Sequence, residues 1–311
     1  MSSVVRPPCD EGIVRSRSAS APCGRSGPWV LAATILGSSM AFIDGTVVNV
    51  ALPAILADFQ ATILDAQWIV ESYALFLAAL LLAGGSLGDR FGRRRVFAFG
   101  VALFAAASIG CGLAADVRQL IAARAIQGVG GALLVPGSLA ILSASFPANE
   151  RGRAIGTWSG FTAITAAIGP VLGGWLIDHF SWRWAFFLNV PLAAAVLVLT
   201  AWHVPESRDE SASSRLDWPG ALLATVGLGG IVYALIESSQ LGWKNPRVFG
   251  ALALGVLSLV SFAFVERRSR APMLPPALFR SRNFTGANVL TLLLYGALSS
   301  VFFLFPLDLI Q

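Results

Sequence analysis

Apolar residues in this chain fall in long, nearly unbroken runs, not in the alternating or one-sided patterns of half-buried strands and surface helices. A helix needs about 20 such residues to cross the hydrocarbon of a bilayer. Nine windows qualify: 29–52, 68–87, 96–113, 120–142, 154–177, 184–202, 218–236, 248–265 and 284–310. The polar stretches between them are short, which predicts antiparallel neighbours. The pattern therefore predicts an all-α membrane protein. It divides into a tail (1–27), six spans (28–203), a linker (204–215), two further spans (216–266), a polar loop (267–283) and one last span (284–311).

Composition agrees. Hydrophobic residues make up 56% of the chain and charged residues 13%, against about 25% charged in soluble domains. The distribution of charge then fixes a topology. With the N-terminus in the cytoplasm, 17 of the 22 basic residues lie in the tail and in the segments after spans two, four, six and eight. Only Arg118, Arg183, Lys244 and Arg247 fall outside, and Arg124 falls within a span. Cytoplasmic loops are enriched in Arg and Lys in this way. The expected location is the inner membrane of a cell, crossed many times. The net charge of +5 then bears on topology and anionic headgroups, not on nucleic acid.

The tail has no apolar core and is rich in Arg and Ser, so it reads as a disordered cytoplasmic segment and not as a secretory signal. Cys9, Cys23 and Cys111 have no metal-ligand or redox spacing. No phosphate loop or nucleophile–base pair is present, and the run Gly128–Gly131 follows no strand, so it lacks the context of a nucleotide site. No enzymatic activity and no cofactor are expected.

Polar residues inside the spans carry the candidate chemistry. A charge in hydrocarbon costs several kcal/mol unless it faces a cavity or a partner. Asp44 lies well inside the first window and is a candidate proton carrier, the alternative being an exposed helix end on the outer side. Arg124 lies a few residues into the fourth window and needs a counter-charge; the alternative is a side chain reaching back to the outer headgroups. Gln127 sits one turn on. Asn49 is grouped with the same cavity. Asn189 reads as a group that caps or bridges helices, Glu71 as solvated, and His179 and His203 as loop-edge groups; Asp308, near the end of the last window, is either intramembrane or on the outer side. In the fifth window, Gly156 with Gly160 and Gly169 with Gly173 have the spacing that lets helices approach closely, and Pro170 predicts a kink.

The turn between the second and third windows is unusual. It reads GSLGDRFGRRR, with Gly85, Leu87, Asp89, Arg90, Gly92, Arg93 and Arg94 in a fixed order. Retention in the cytoplasm explains the arginines, but not Asp89 or the spaced glycines. In this pattern and place the chain resembles the major facilitator superfamily. Further stretches resemble its fourteen-helix drug:proton antiporters: IDGTVVNVALP (43–53), RAIQGVGGA (124–132), IGPVLGGWL (168–176), WRWAFFLNVP (182–191) and, more weakly, LDWPG (216–220).

The resemblance implies a six-helix N-terminal bundle, two extra helices and the first helix of a second half, with the rest of that half beyond residue 311. It implies that Asp44 and Arg124 face one another across equivalent helices of an inverted repeat, and that Asp89 with its basic neighbours latches two halves on the cytoplasmic side. Gly169, Pro170, Gly173 and Gly174 would pack at the interface between halves and limit proton leak. The implied function is export of small, toxic or drug-like compounds against inward proton flow, with the proton gradient as the energy source. The expected partners are a small-molecule substrate, the lipid bilayer, and either a missing C-terminal half or a second copy. The alternatives are a non-transporting fragment or membrane partner protein, and a carrier of a native metabolite or lipid.

Overall fold

The computed structural model of the chain describes residues 26–208, 217–269 and 276–309. The tail up to residue 25, with Cys9 and Cys23, lies outside the described residues, as do parts of the linker and of the 267–283 loop, and the side chain of Asp308. The described elements are all helical. They are α1 (Gly27–Phe59), α2 (Ile63–Phe91), α3 (Arg93–Gly112), α4 (Val117–Ser145), α5 (Ala148–His179), α6 (Arg183–Phe187), α7 (Asn189–His203), α8 (Trp218–Leu241), α9 (Pro246–Arg268), a 3-10 turn (Pro276–Arg280) and α10 (Arg282–Leu309).

Among the described residues, eight helical stretches are long and apolar enough to cross a membrane, with Arg183–His203 counted as one. The last window is occupied by α10. The chain is thus an all-α membrane protein, with a six-span N-terminal bundle and three further helices. Some helices outrun their apolar windows by a turn or more, α1 at its C-terminal end and α2 at both ends among them. The sixth window holds two pieces meeting at Leu188. Pro191 lacks the N–H that would bond the Phe187 carbonyl, which loosens the ladder there. Elsewhere prolines are absorbed: α1, α4 and α5 run unbroken through Pro53, Pro136 and Pro170.

Short loops stop and start the helices by local hydrogen bonding. Thr62 and Asp65 form a reciprocal capping box at α2: the Thr62 N–H donates to Asp65 Oδ2 at 2.8 Å and the Asp65 N–H to Thr62 Oγ1 at 3.3 Å. Asp116, Asp217 and Asn245 cap α4, α8 and α9 more simply, each side-chain oxygen accepting one first-turn N–H.

Within the bundle, α4 is the hub. It packs along α2, α3 and α1, while α1 also lies along α5 and α7. The extra pair α8–α9 docks on the outside of α2, where the Trp68 indole donates to Glu237 at 3.2 Å and stacks at a tilt on Tyr233. Two apolar cores result. One holds Met40, Phe97, Phe104, Leu134 and Val196. The other holds Val47, Ile55, Ile69, Leu120, Trp182 and Phe186. Along α1 the first core takes residues from 30 to 41 and the second residues from 43 to 55, and a buried polar layer lies where they meet.

Candidate functional site

Asp44 of α1 and Arg124 of α4 fill that layer. Each is 1% exposed. One guanidinium nitrogen of Arg124 donates to Asp44 Oδ2 in a short ion pair. The same nitrogen reaches Gln127 Oε1 at 2.6 Å, and Arg124 Nε donates to the Ile69 carbonyl of α2 at 3.1 Å. The guanidinium also lies 4.2 Å over the Tyr73 ring, which adds cation–π attraction in a dry setting. On the other oxygen, Asp44 Oδ1 accepts from Gln127 Nε2 at 2.8 Å and from Asn189 Nδ2 of α7 at 3.0 Å. Both amides share Ser108 Oγ of α3 as a second acceptor, at 2.8 and 3.3 Å, and Ser108 donates onward to the Phe104 carbonyl. The Cys111 thiol approaches Gln127 Oε1 at 3.8 Å.

The site therefore draws on α1, α2, α3, α4 and α7. It settles both alternatives left by the sequence: Asp44 is not an exposed helix end, and Arg124 does not reach for headgroups. Taking one partner away would leave an uncompensated buried charge, which is costly. The arrangement can hold one charge pair away from water.

Asn49 is not part of this network. It is exposed on another face of α1 and donates to its own helix at the Gly45 carbonyl, 3.0 Å away. Phe42, Asn49 and Pro53 share that open stripe. Glu71 is half-buried in α2, and His203 stacks on Trp29 at 5.1 Å.

At the other end of the bundle, Asp89 accepts from Arg93 within its own turn, at 2.8 Å. Arg90 lies over the Phe91 ring. The segment after α7 crosses this turn as a strap. Glu206 Oε1 accepts the Arg94 backbone N–H at 3.1 Å, at the positive end of α3. Arg94 donates to the Val204 carbonyl at 3.2 Å, the Arg93 N–H to the Ser207 carbonyl at 3.0 Å, and Glu206 pairs with Arg95 at 3.6 Å.

Gly92 makes the strap fit. Its φ is +110°, and a Cβ there would meet the Glu206 carboxylate at 2.6 Å. Gly92→Ala is expected to cost roughly 1–3 kcal/mol through backbone strain and a displaced strap. Gly85→Ala, whose Cβ would meet only Pro136 at 3.7 Å, serves as the control. Thermal unfolding of the two variants in detergent checks this: equal melting temperatures would refute it.

The fifth-helix glycines divide. A Cβ on Gly169 would lie 2.0 Å from Thr46 Oγ1 and one on Gly173 3.1 Å from Val47, so both are pressed against α1. Gly156, Gly160 and Gly174 have open space among the described residues. Ser108, Tyr73 and Glu206 are site residues that the sequence reading missed, and it assigned Asn189 only a capping or bridging role. Their one sequence signal is a polar group in or beside an apolar window.

Comparison with known proteins gives the same architecture. Residues 34–310 match the family profile of the Major Facilitator Superfamily. The chain is 43% identical over 255 residues to multidrug resistance protein Stp of Mycobacterium tuberculosis, covering 82% of this chain and 47% of that protein. It is 38% identical over 281 residues to the tetracenomycin C resistance and export protein of Streptomyces glaucescens, covering 90% and 52%. Puromycin resistance protein pur8 of Streptomyces alboniger is 41% identical over 267 residues, covering 85% and 53%. The chain thus spans about half the length of the curated relatives it matches. Among solved structures, the peptide transporter POT in complex with sulfate superposes with a TM-score of 0.58 at 19% identity, over 81% of this chain and 55% of that one. At that identity the likeness concerns the fold.

Proposed function

Because the chain belongs to the Major Facilitator Superfamily, we propose that it forms the N-terminal half of a proton-coupled exporter of small, toxic or drug-like compounds. The observation that carries this is the Asp44–Arg124 pair. It sits at a junction of five helices, withdrawn from water and tied to α2, α3 and α7 by hydrogen bonds. A proton on Asp44 cancels its charge and frees Arg124, so the relative fit of α1 and α4 becomes proton-dependent. Energy enters as a proton gradient, with no cofactor and no chemical conversion of the substrate. The open stripe of α1 (Phe42, Asn49) and the bare flank of α5 supply one amphipathic wall of a pathway. The facing wall comes from a C-terminal half or a second copy. The similarity to tetracenomycin C and puromycin resistance proteins favours antibiotics over native metabolites as cargo.

On this reading the chain lies in the inner membrane with its N-terminus in the cytoplasm, and the strap of Glu206 over Arg94 belongs to the cytoplasmic latch. The reading frame the chain comes from is tested by reconstitution at full length in proteoliposomes. An imposed pH gradient is expected to drive export of fluorescent dyes and antibiotics. Single cysteines at 65, 116 and 244 are expected to react with an impermeant reagent on intact cells, and one at 93 is not. Efflux indifferent to the gradient, or labelling at 93 but not at 65, would overturn the proposal.

A further inference from the structure

Asp44 in its present setting is served only by donors: Arg124 on one oxygen, Gln127 and Asn189 on the other. That suits a carboxylate. A carboxylic acid needs one acceptor for its new O–H. Around it, Gln127 Oε1 is already taken by Arg124, and Ser108 Oγ accepts from two amides. One acceptor in the network has no partner: Asn189 Oδ1, buried on a side chain that is 1% exposed. Buried acceptors are rarely left empty, and each such case calls for a reason.

We propose that Asn189 is a positioning residue that changes partner when Asp44 takes up a proton, an inference that rests on Asp44 being the proton carrier. Hydronium delivers the proton to Asp44 Oδ1 and leaves as water. The Asn189 amide then turns by half a revolution about its Cβ–Cγ bond. The Nδ2–H bonds to Asp44 Oδ1 and to Ser108 Oγ break, and the new Asp44 O–H donates to Asn189 Oδ1. The turn fills the unpartnered buried acceptor and leaves two N–H groups unpartnered, so it is unfavourable while Asp44 is a carboxylate and is driven only by the O–H that the proton creates. The other charged or titratable groups at this layer are Arg124 of α4, Tyr73 of α2 and Cys111 of α3; α5 meets α1 here through Gly169 and Gly173 and α6 contributes Phe186. None of these offers the missing acceptor. Asn189 opens α7 beside the Leu188 interruption, so the switch reports proton uptake directly to that joint.

Infrared difference spectroscopy of the purified chain in lipid nanodiscs, titrated with acid, reads Asp44 without any transport assay. The carbonyl stretch of a protonated carboxyl, absent in Asp44→Asn, reports its occupancy. In Asn189→Leu and Asn189→Ala the band is expected to move to higher frequency, as for an acid whose O–H has lost its acceptor. In Asn189→Ser, whose hydroxyl both donates and accepts, it should stay at the wild-type frequency. In wild type carrying 13C-asparagine, a side-chain amide band missing from Asn189→Ser should shift in step with the Asp44 band, a readout that holds even where the apolar variants do not fold. No Asp44 band in wild type would sink the proton-carrier reading and the proposal with it. A normal Asp44 band with an unmoving Asn189 amide, or with the same frequency in the apolar variants, overturns the proposal alone.

Discussion

Arg124→Leu is expected to lose folded protein and transport together, while Asp44→Asn loses transport and keeps the fold. The asymmetry follows from what each partner retains. Without Arg124, Asp44 stays 1% exposed with only two amide donors for a full negative charge. Breaking a buried pair from one side costs about 3–5 kcal/mol, a large share of a marginal stability. Asp44→Asn leaves the Arg124 charge unpaired too, but it keeps acceptors for it: the side-chain oxygen of the new amide, the Ile69 carbonyl and Gln127 Oε1, with the Tyr73 face beside them. The double variant Asp44→Asn/Arg124→Leu removes both charges and should recover much of the stability lost by Arg124→Leu, with no return of coupling. Melting temperature in detergent and pH-driven efflux from proteoliposomes separate the two effects. Wild-type stability in Arg124→Leu would show that the pair is not held in a dry layer.

The spans, their number and the basic asymmetry of the loops were readable in the chain because lipid imposes a length and a composition on each helix. Asp44 and Arg124 were readable for the same reason: a charge inside an apolar window needs a purpose. Their neighbours were not. Which face of one helix meets which face of another is set by packing, and Ser108, Tyr73 and Asn189 are ordinary residues for a span until that packing places them beside Asp44. Helical geometry could have corrected one choice. Asn49 lies five residues from Asp44, about 140° around a helix with 3.6 residues per turn, so the two cannot share a site, whereas Gln127 at three residues from Arg124 can. The Glu206 strap was hidden by distance along the chain, since its partner Arg94 lies more than a hundred residues earlier. The fifth helix runs on through Pro170, because a single missing donor does not end a helix held on one side by α1.

Gly84→Val is expected to abolish the folded bundle. The closest helix contact at the hub is α2 against α4, and two glycines allow it. A Cβ on Gly84 would lie 2.0 Å from the Ala132 carbonyl oxygen and 2.8 Å from its carbon. A Cβ on Gly128 would lie 2.4 Å from the Tyr73 carbonyl oxygen. These neighbours are backbone, so no rotamer change relieves the clash; one helix has to move. In lipid there is no hydrophobic drive to restore the contact, since helix association rests on close packing itself. Even one methyl forces a shift, and valine should cost upwards of about 3 kcal/mol. The consequence reaches the site. Tyr73 and the Ile69 carbonyl lie on α2, and Arg124 on α4, so separating the helices removes the cation–π contact and the Nε hydrogen bond at once. Gly156→Val, at a position with open space, is the matched control and should behave as wild type. Size-exclusion profiles and melting in detergent, run side by side on Gly84→Val, Gly128→Val and Gly156→Val, decide it. Wild-type yield and melting for Gly84→Val would mean that α2 and α4 do not approach as closely as the structure places them, and that the dry layer around Arg124 is looser than its hydrogen bonds imply.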